Sequence, residues 1–223
     1  MRLLQEALAS DLRVAPILYA PERLATTAAG RALRHHLESL AGAEQIDERT
    51  LAAISETVTS QGVVAGVEIP AARHVPELGH VLVLDGIADP GNAGTMLRTA
   101  QAAGAVAVVA TAGTTDVWGP KAVRSGMGAH FHLPIVADVA WSNIGELLGE
   151  RQLLLASAHD GVPYWEIDWS QPSAMIMGSE AHGTSPAAEG LATIRVTIPM
   201  AAEAESLNAA AAAAVLLFAA FRG

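Results

Sequence analysis

The last quarter of the chain contains the sequence Ile194-Arg195-Val196-Thr197-Ile198-Pro199-Met200, followed after a short polar stretch by Ser206-Leu207-Asn208. Residues 194–198 alternate apolar and polar side chains, which predicts a short strand. Pro199 should end that strand, because proline has no N–H to donate to a neighbouring strand. A loop with Glu203 and Glu205 is expected next, and Ser206 is the expected N-cap of a helix that begins at Leu207.

This C-terminal helix should be unusually apolar. From Ala209 to Phe221 nearly every side chain is hydrophobic, so the pattern leaves no face for solvent. We therefore expect the helix to be buried, in the chain's own core or against a partner. A strand, a polar elbow and a buried helix in succession predict a small ligand site at the elbow.

The composition indicates a globular protein. The chain has 223 residues, 51% of them hydrophobic, so it can bury a substantial core in one or two domains. It has no cysteine, which excludes disulfides, thiolate nucleophiles and cysteine-ligated metals and predicts a reducing, cytoplasmic location. The first residues show no secretory signal, and the C-terminal apolar run is shorter than the ~20 residues that span a bilayer. A net charge of −10 argues against broad electrostatic binding of nucleic acid, so any RNA contact should be local.

The pattern along the chain predicts two domains. Residues 1–70 read as short helices (3–12, 27–40, 47–55) and strands (15–19, 62–69), and residues 71–79, with Pro76 and no periodicity, read as a linker. In residues 80–223, apolar strands at 80–85, 105–110, 153–156 and 174–177 alternate with helices at 93–103, 121–127 and 141–148. This alternation predicts an α/β domain with a largely parallel sheet, whose ligands should bind beyond the carboxyl ends of the strands.

The loop and helix from Asp85 to Ala100 follow the first of these strands. Met96 and Ala100 recur at helical spacing and should face the core, so Arg98 should point away from it. Taken alone, Arg98 could be an ordinary surface arginine and Asn92 only a helix N-cap. The glycines of this loop do not have the spacing of a Walker loop or a Rossmann fingerprint, which argues against a nucleotide-dependent α/β enzyme.

A second polar loop, Gly178 to Pro186, follows another buried strand. Glycine lets the backbone approach a ligand closely, and a carboxylate at a strand end is costly unless paired or hydrated, so Glu180 should have a partner. The alternative is an exposed glutamate in a turn. His182 has no second histidine at metal-site spacing, and we predict no metal.

Taken together, three motifs resemble the SpoU/TrmH branch of the SPOUT methyltransferases. They are Asn-x-Gly-x-x-x-Arg at 92–98, Gly-Ser-Glu-x-x-Gly at 178–183, and Ile-Pro-Met followed by Ser-Leu-Asn at 198–208. The resemblance is strong over residues 81–221. It is weaker in front, where residues 3–8 and 61–65 resemble parts of that family's L30e-like substrate domain.

The resemblance implies a SPOUT-type, Rossmann-like parallel sheet with a C-terminal trefoil knot, preceded by a small L30e-like α/β domain, in a homodimer. It also implies transfer of a methyl group from S-adenosylmethionine to a ribose 2′-hydroxyl of RNA. By position in the motifs, the cofactor would be bound through the backbone of Gly178, Ile198 and Leu207. The catalytic surroundings would be formed by Asn92, Arg98, Glu180, Ser206 and Asn208.

Four basic residues are candidates for contact with RNA phosphates, with ordinary surface charge as the alternative: Arg31, Arg34, Lys121 and Arg124. The chain departs from the family pattern in three places. The strand that usually opens the substrate domain is missing, so we expect an N-terminally incomplete domain. Ala210 and Gly126 stand where the family often has a hydroxyl residue.

The predicted substrate is structured RNA, 23S ribosomal RNA in preference to transfer RNA. This preference rests on the resemblance of the front domain. Two alternatives remain open at this point: a transfer RNA 2′-O-methyltransferase, and a non-catalytic RNA-binding dimer of the same fold, which the acidic charge and Ala210 would suit.

Overall fold

The structure is a computed structural model that describes residues 1–55, 60–71, 74–201 and 206–221. The chain divides into two compact units, Met1–Pro70 and Ala71–Gly223. Glu203 and Glu205, which the sequence placed in the last loop, lie outside the described residues.

The first unit is a small three-stranded sheet with helices. The strands are β1 (Val14–Tyr19), β2 (Ala43–Gln45) and β3 (Val63–Val67), and the helices are α1 (Arg2–Leu8), α2 (Pro21–Leu24), α3 (Ala28–Ser39) and α4 (Glu48–Ile54). Strand β1 lies in the middle, parallel to β2 and antiparallel to β3. The side chains of Ile17, Tyr19, Leu33 and Leu37 form much of its core. Helix α1 ends at Leu8, earlier than the predicted 12.

The second unit is built on a seven-stranded sheet. Its strands are β4 (Val81–Asp85), β5 (Ala107–Thr111), β6 (Ile135–Val139), β7 (Gln152–Ser157), β8 (Val162–Pro163), β9 (Ser173–Gly178) and β10 (Ile194–Thr197). Its helices are α5 (Pro90–Ala102), α6 (Pro120–Gly126), α7 (Ala129–His132), α8 (Trp141–Leu148), α9 (Pro186–Leu191) and α10 (Ala209–Phe221), with a 3-10 turn at Tyr164–Glu166. The strand order is β6-β5-β4-β9-β7-β10-β8, and all neighbouring strands are parallel.

Both faces of this sheet are covered, as its continuous apolar strands predict. On one face Leu82 and Leu84 belong to the core that includes buried residues of α5 and α10. On the other, Val81 and Val83 belong to the core that includes buried residues of α8 and α9. The prediction of an α/β domain with a parallel sheet is confirmed.

The predicted N-cap and start of the last helix are wrong. Helix α10 begins at Ala209, not Leu207. The side-chain Oδ1 of Asn208 accepts hydrogen bonds from the amides of Ala210 and Ala211 at 3.0 and 3.2 Å, so Asn208 is the N-cap and Ser206 is not.

Helix α10 is buried on one face within this chain. Leu216 and Leu217 are buried, whereas Val215, Phe218 and Phe221 are 36%, 43% and 61% exposed. The helix was expected to be buried either in the chain's own core or against a partner. The chain's own core buries only one of its faces. The exposed face is apolar.

Most of the predicted linker packs against the second unit. Val75 is buried in that unit's core. The guanidinium of Arg151 donates hydrogen bonds to the backbone carbonyls of Pro76, Leu78 and Gly79. The part of the segment from residue 75 onward therefore belongs to the second unit. Ala72 and Arg73 lie outside the described residues.

None of the helices described is both long and apolar enough to cross a membrane.

Candidate functional site

A cavity lies beyond the carboxyl ends of β7, β9 and β10, where the sequence predicts a ligand site. Its volume is about 650 Å³. The three residues predicted to bind a cofactor all line it: Gly178, Ile198 and Leu207. Glu180, Ser206 and Asn208 line the same cavity. The structure therefore brings together the second and third motifs.

Glycine is required at Gly178 because the backbone folds tightly beside it. Gly178 is the last residue of β9 to pair with β4, and a turn follows in which Ser179 and Gly183 exchange backbone hydrogen bonds of 2.8 Å. A Cβ atom at Gly178 would collide with the backbone of Gly183 and Thr184, and Gly183 has φ +67°. The turn projects Glu180 from its tip toward the cavity.

Three side chains from separate parts of the chain meet at the cavity edge. The carboxylate Oε1 of Glu180 accepts hydrogen bonds from the amide Nδ2 of Asn92 and from that of Asn208, the latter at 3.0 Å. Asn208 Nδ2 also lies 3.3 Å from Asn92 Oδ1. Because Asn208 Oδ1 caps α10, its Nδ2 must point away from the helix, toward Glu180. We call Asn92, Glu180 and Asn208 the amide–carboxylate cluster.

The start of α5 positions Asn92 in its first turn. Asp89 Oδ1 accepts the backbone N–H of Asn92 at 2.9 Å, and its Oδ2 accepts from Lys121 Nζ at 2.7 Å. The hydrogen bond from Lys121 and, to a smaller extent, the one from the Asn92 backbone amide lower the pKa of Asp89 below its usual value. Lys121, predicted to contact RNA, is thus paired with a carboxylate in this structure.

The glycine of the first motif allows α5 and α6 to approach closely. A Cβ atom at Gly94 would collide with the carbonyl oxygen of Ala122 and would lie 2.7 Å from Ser125 Cβ. A residue larger than glycine at position 94 would therefore push the two helices apart and shift Asn92 on α5.

Arg98 is the predicted catalytic residue that lies on the exposed side of α5. Met96 and Ala100 are buried as expected, and Arg98 is exposed on the opposite side of α5. It lines neither of the two cavities described here. Arg98 differs in this respect from Glu180, Ser206 and Asn208, which line the larger cavity.

The basic residues of the first unit make local contacts. Arg31 donates to the backbone carbonyl of Ala25 at 2.8 Å, and Arg34 pairs with Glu38 at 2.7 Å. Arg124, in the second unit, is exposed on α6.

Asp85, which was not among the predicted site residues, organises the second loop. Asp85 ends β4 and is only 4% exposed. Its Oδ2 accepts the backbone N–H of Ser185 at 2.6 Å, and its Oδ1 accepts from Trp141 Nε1 at 3.1 Å. An acidic residue at the end of an otherwise apolar strand was the available signal, because a buried carboxylate needs such partners.

The structure also gives a physical reason for the glycine at position 126. A Cβ atom there would lie 2.5 Å from Cε1 of His130 and 2.6 Å from its Nδ1. His130 is buried, and burial lowers the pKa of its imidazole. A hydroxyl residue at position 126 is therefore incompatible with His130 in this position.

A smaller cavity of about 150 Å³ adjoins the cluster. It is lined by residues 86–88 of the loop after β4, residues 179–182 of the turn after β9, and Ala209. Four residues line both cavities: Ser179, Glu180, His182 and Ala209. Among the residues described, no group of three or more histidine and acidic side chains could hold a metal ion.

Comparison with known proteins relates this chain to RNA methyltransferases. It is 39% identical over 179 residues to the 23S rRNA (guanosine(2553)-2′-O)-methyltransferase RlmP of Bacillus subtilis, an alignment that covers 78% of this chain and 70% of the relative. It is 34% identical to the 23S rRNA (uridine(2479)-2′-O)-methyltransferase of Streptomyces viridochromogenes, over 72% of this chain and 60% of that protein. It is 32% identical to the mouse mitochondrial rRNA methyltransferase 3, over 74% of this chain, and spans about half of that protein's length, 53%.

Solved structures agree over the whole chain. One of them is the crystal structure of the SpoU methyltransferase AviRb from Streptomyces viridochromogenes in complex with the cofactor AdoMet. The match covers 99% of this chain and 87% of the AviRb chain, with a TM-score of 0.85 and 31% sequence identity. The match to the AdoMet-bound rRNA methyltransferase from Sinorhizobium meliloti covers 100% of this chain and 85% of that enzyme's chain, with a TM-score of 0.79 and 29% sequence identity. The sequence profile of the SpoU rRNA Methylase family matches residues 79–218, which include the cavity and the amide–carboxylate cluster. The chain belongs to the SpoU rRNA methylase family.

Proposed function

We propose that this protein transfers a methyl group from S-adenosylmethionine to a ribose 2′-hydroxyl of ribosomal RNA. The observation that carries the proposal is the amide–carboxylate cluster at the edge of a cavity built from the second and third motifs. The similarity to two 23S rRNA 2′-O-methyltransferases supports the reaction and the substrate class. The similarity to AviRb in complex with AdoMet supports the cofactor.

The larger cavity suits the cofactor. At about 650 Å³ it has the size of cavities that bind cofactors and other small molecules. Ile198 follows the last residue of β10 that pairs with β7, and Gly178 ends β9, so both offer backbone groups at strand ends. We assign the binding of S-adenosylmethionine to Gly178, Ile198 and Leu207. When bound, the cofactor supplies a methyl group on a positively charged sulfur for in-line transfer.

The cluster would orient the acceptor. An in-line displacement depends on holding the attacking oxygen against the methyl group. Glu180 holds the side-chain amides of Asn92 and Asn208 in one arrangement, and these amides are the groups that would contact the ribose. Ser206 lines the same cavity and would contact the ribose beside Asn208.

Arg98 would act by its charge. A guanidinium stays protonated in proteins, so Arg98 is not a proton acceptor. We assign it the stabilisation of the developing charge on the 2′-oxygen, or of the neighbouring phosphate.

Arg98 would reach the cluster of a second subunit. Phe218 and Phe221 are exposed on α10, and this apolar face supports a homodimer. Helices α10 and α5 share one core, which includes Leu216 and Met96, so a partner docked on α10 would lie near α5 as well. In such a dimer the Arg98 of one subunit would complete the site of the other.

We extend the proposal to the fold, the RNA-binding surface and the cellular location of the protein. A C-terminal trefoil knot and an L30e-like first unit are supported by the similarity to AviRb over 99% of the chain. Contacts with RNA phosphates are assigned to Arg31, Arg34, Lys121 and Arg124. A cytoplasmic location is supported by the cysteine-free sequence and the ribosomal substrate.

Calorimetry and methyl-acceptor assays together test the proposal. The purified protein should release or absorb heat on titration with S-adenosylmethionine or S-adenosylhomocysteine. It should also transfer label from S-adenosylmethionine to unmodified ribosomal RNA and not to transfer RNA. No heat with either molecule would refute the enzyme, and label on transfer RNA alone would refute the choice of substrate.

A further inference from the structure

The smaller cavity is lined by none of the three residues assigned above to the cofactor. It lies between the loop after β4 and the turn after β9, and its walls include the apolar side chains of Ile87, Ala88 and Ala181. Its volume of about 150 Å³ compares with ~30 Å³ for one water molecule in the liquid. It can therefore take a single flat ring system, and a base pair would not fit.

The position of this cavity relates it to the reaction. Ser179, Glu180, His182 and Ala209 line both cavities, so a group bound in the smaller one would lie beside the amide–carboxylate cluster. A nucleotide with its base in the smaller cavity would have its ribose next to Glu180. The 2′-oxygen would then face the larger cavity, where the methyl group is expected.

His182, which has a flat ring, lines the smaller cavity and also the larger one. Its backbone N–H donates to Ser179 Oγ at 3.1 Å, and its side chain is exposed. Within the described part of the chain, the structure shows no polar partner for this imidazole. Aromatic and histidine rings stack on unpaired RNA bases, and such stacking tolerates different bases.

We propose that the smaller cavity binds the base of the nucleotide whose ribose is methylated, stacked on His182. This inference rests on the proposed 2′-O-methyl transfer. It specifies that the substrate nucleotide is unpaired when it reacts, because a base within a helix cannot enter the cavity unless it is extruded. A nucleotide in a loop would be preferred, since its extrusion costs less than that of a paired one.

Filling the cavity is the first test. Ala88 and Ala181 are exposed, so Ala88→Trp and Ala181→Trp would occupy the cavity with little effect on the core. Ala187→Trp is the matched control, because Ala187 is exposed on α9 and lines neither cavity. The probe is an unmodified 23S rRNA transcript. Both filling variants should lose at least about tenfold in kcat/KM while the affinity for S-adenosylmethionine stays within about twofold. The control should match the unaltered protein.

Replacing the ring is the second test. His182→Ala should lower the affinity of the S-adenosylhomocysteine-loaded protein for the transcript by roughly tenfold to a hundredfold, and His182→Phe should restore it. The inference would be overturned if His182→Ala and His182→Phe had the same affinity for the transcript and the same turnover. It would also be overturned if both filling variants turned over normally. Either result would leave the proposed function intact. If the unaltered protein methylates no ribosomal RNA, the proposed function fails, and this inference fails with it.

Discussion

At the scale of single residues, Glu180 organises the site by accepting two hydrogen bonds through one oxygen. Its donors, Asn92 and Asn208, belong to elements far apart in sequence, and each is held by a further contact: Asp89 binds the Asn92 backbone, and Asn208 caps α10. Hydrogen bonds to a carboxylate are stronger than those between neutral groups. The cluster should therefore be arranged before a substrate binds, which favours a catalytic over a purely surface role.

Replacing Arg98 should separate binding from turnover. Arg98→Ala should lower methyl transfer at least about a hundredfold, the loss typical when a group that stabilises developing charge is removed. The affinity for S-adenosylmethionine should hardly change, because Arg98 lines neither cavity. Arg98→Lys should also fail, since lysine keeps the charge but loses the planar fork. Calorimetry and initial rates on the same preparations decide this. Normal turnover of the alanine variant would make Arg98 an ordinary surface residue.

Gly94 and Gly145 form a matched pair for a stability measurement. Gly94→Ala should destabilise the protein by about 1–3 kcal/mol, because its Cβ would collide with α6. Gly145→Ala should be neutral or stabilising by about 0.5–1 kcal/mol, since a Cβ at Gly145 on α8 meets no atom within 4 Å. Urea unfolding followed by circular dichroism gives both free energies. Equal values for the two variants would contradict the close packing of α5 on α6.

Local periodicity predicted the orientation of Arg98 but not its position relative to the cluster. Met96 and Ala100 are buried, as the helical spacing predicted. The distance from Arg98 to Glu180 and Asn208 depends on how α5 packs and on any second subunit. Spacing along the chain carries neither kind of information.

At the scale of elements, α10 shows why the ends of helices are hard to predict. Ser206 and Asn208 are both good N-cap residues, and the apolar run that follows gives no basis for choosing between them. In the structure, Asn208 caps the helix and also donates to Glu180. One side chain thus couples the start of the helix to the geometry of the site.

The two functions of Asn208 can be separated by substitution. Asn208→Asp should keep the cap, because aspartate is an equally good N-cap, but it loses the amide donor and places a second carboxylate beside Glu180. Asn208→Ala loses both functions and should cost about 1 kcal/mol of stability in addition. We expect methyl transfer to fail in both variants and only the alanine variant to lose the stability of the cap. Thermal unfolding and turnover assays measure the two effects, and an active aspartate variant would contradict the assigned role.

The elements that the sequence did not predict are those with weak patterns. Strand β2 is three residues long, two of them polar, and β8 has two residues. Strand β6 packs at the sheet edge with only its first residue, Ile135, buried. By contrast, all five residues of β4 and of β5 are buried, and their continuous apolar sequences predicted strands. Short edge strands depend on their neighbours more than on their own composition.

At the scale of the whole molecule, the order of the strands creates the site. Strands β4 and β9 are neighbours although more than eighty residues separate them, so the loop that follows each strand opens at the same edge. The sequence could predict that polar loops lie at the carboxyl ends of strands. It could not predict from periodicity which strands are adjacent. The convergence of Asn92, Glu180 and Asn208 was expected only from the resemblance to a known family.

A complementation experiment tests the proposed dimer. Equal amounts of the Arg98→Ala and Glu180→Gln proteins would be unfolded together and refolded as a mixture. If Arg98 acts on the partner's site, each mixed dimer has one site with both residues intact. Half of the dimers should be mixed, so about a quarter of the unaltered activity should return. Methyl-transfer rates on ribosomal RNA measure the recovery.

Each variant refolded alone serves as the control and should stay inactive. No recovery in a mixture that light scattering shows to be dimeric would mean that Arg98 acts within its own subunit. A stable monomer at micromolar concentration would contradict the dimer itself.

The proposed function is tested by comparing Glu180→Gln with Glu146→Gln, since Glu146 is an exposed carboxylate on α8 outside both cavities. Each protein is incubated with labelled S-adenosylmethionine and an unmodified 23S rRNA transcript, and nuclease digestion with mass spectrometry locates the methyl group. The unaltered and Glu146→Gln proteins should methylate one ribose 2′-oxygen. Glu180→Gln should bind the cofactor and lose at least about a hundredfold in rate. Methylation of a base, or an unchanged rate in Glu180→Gln, would contradict the account.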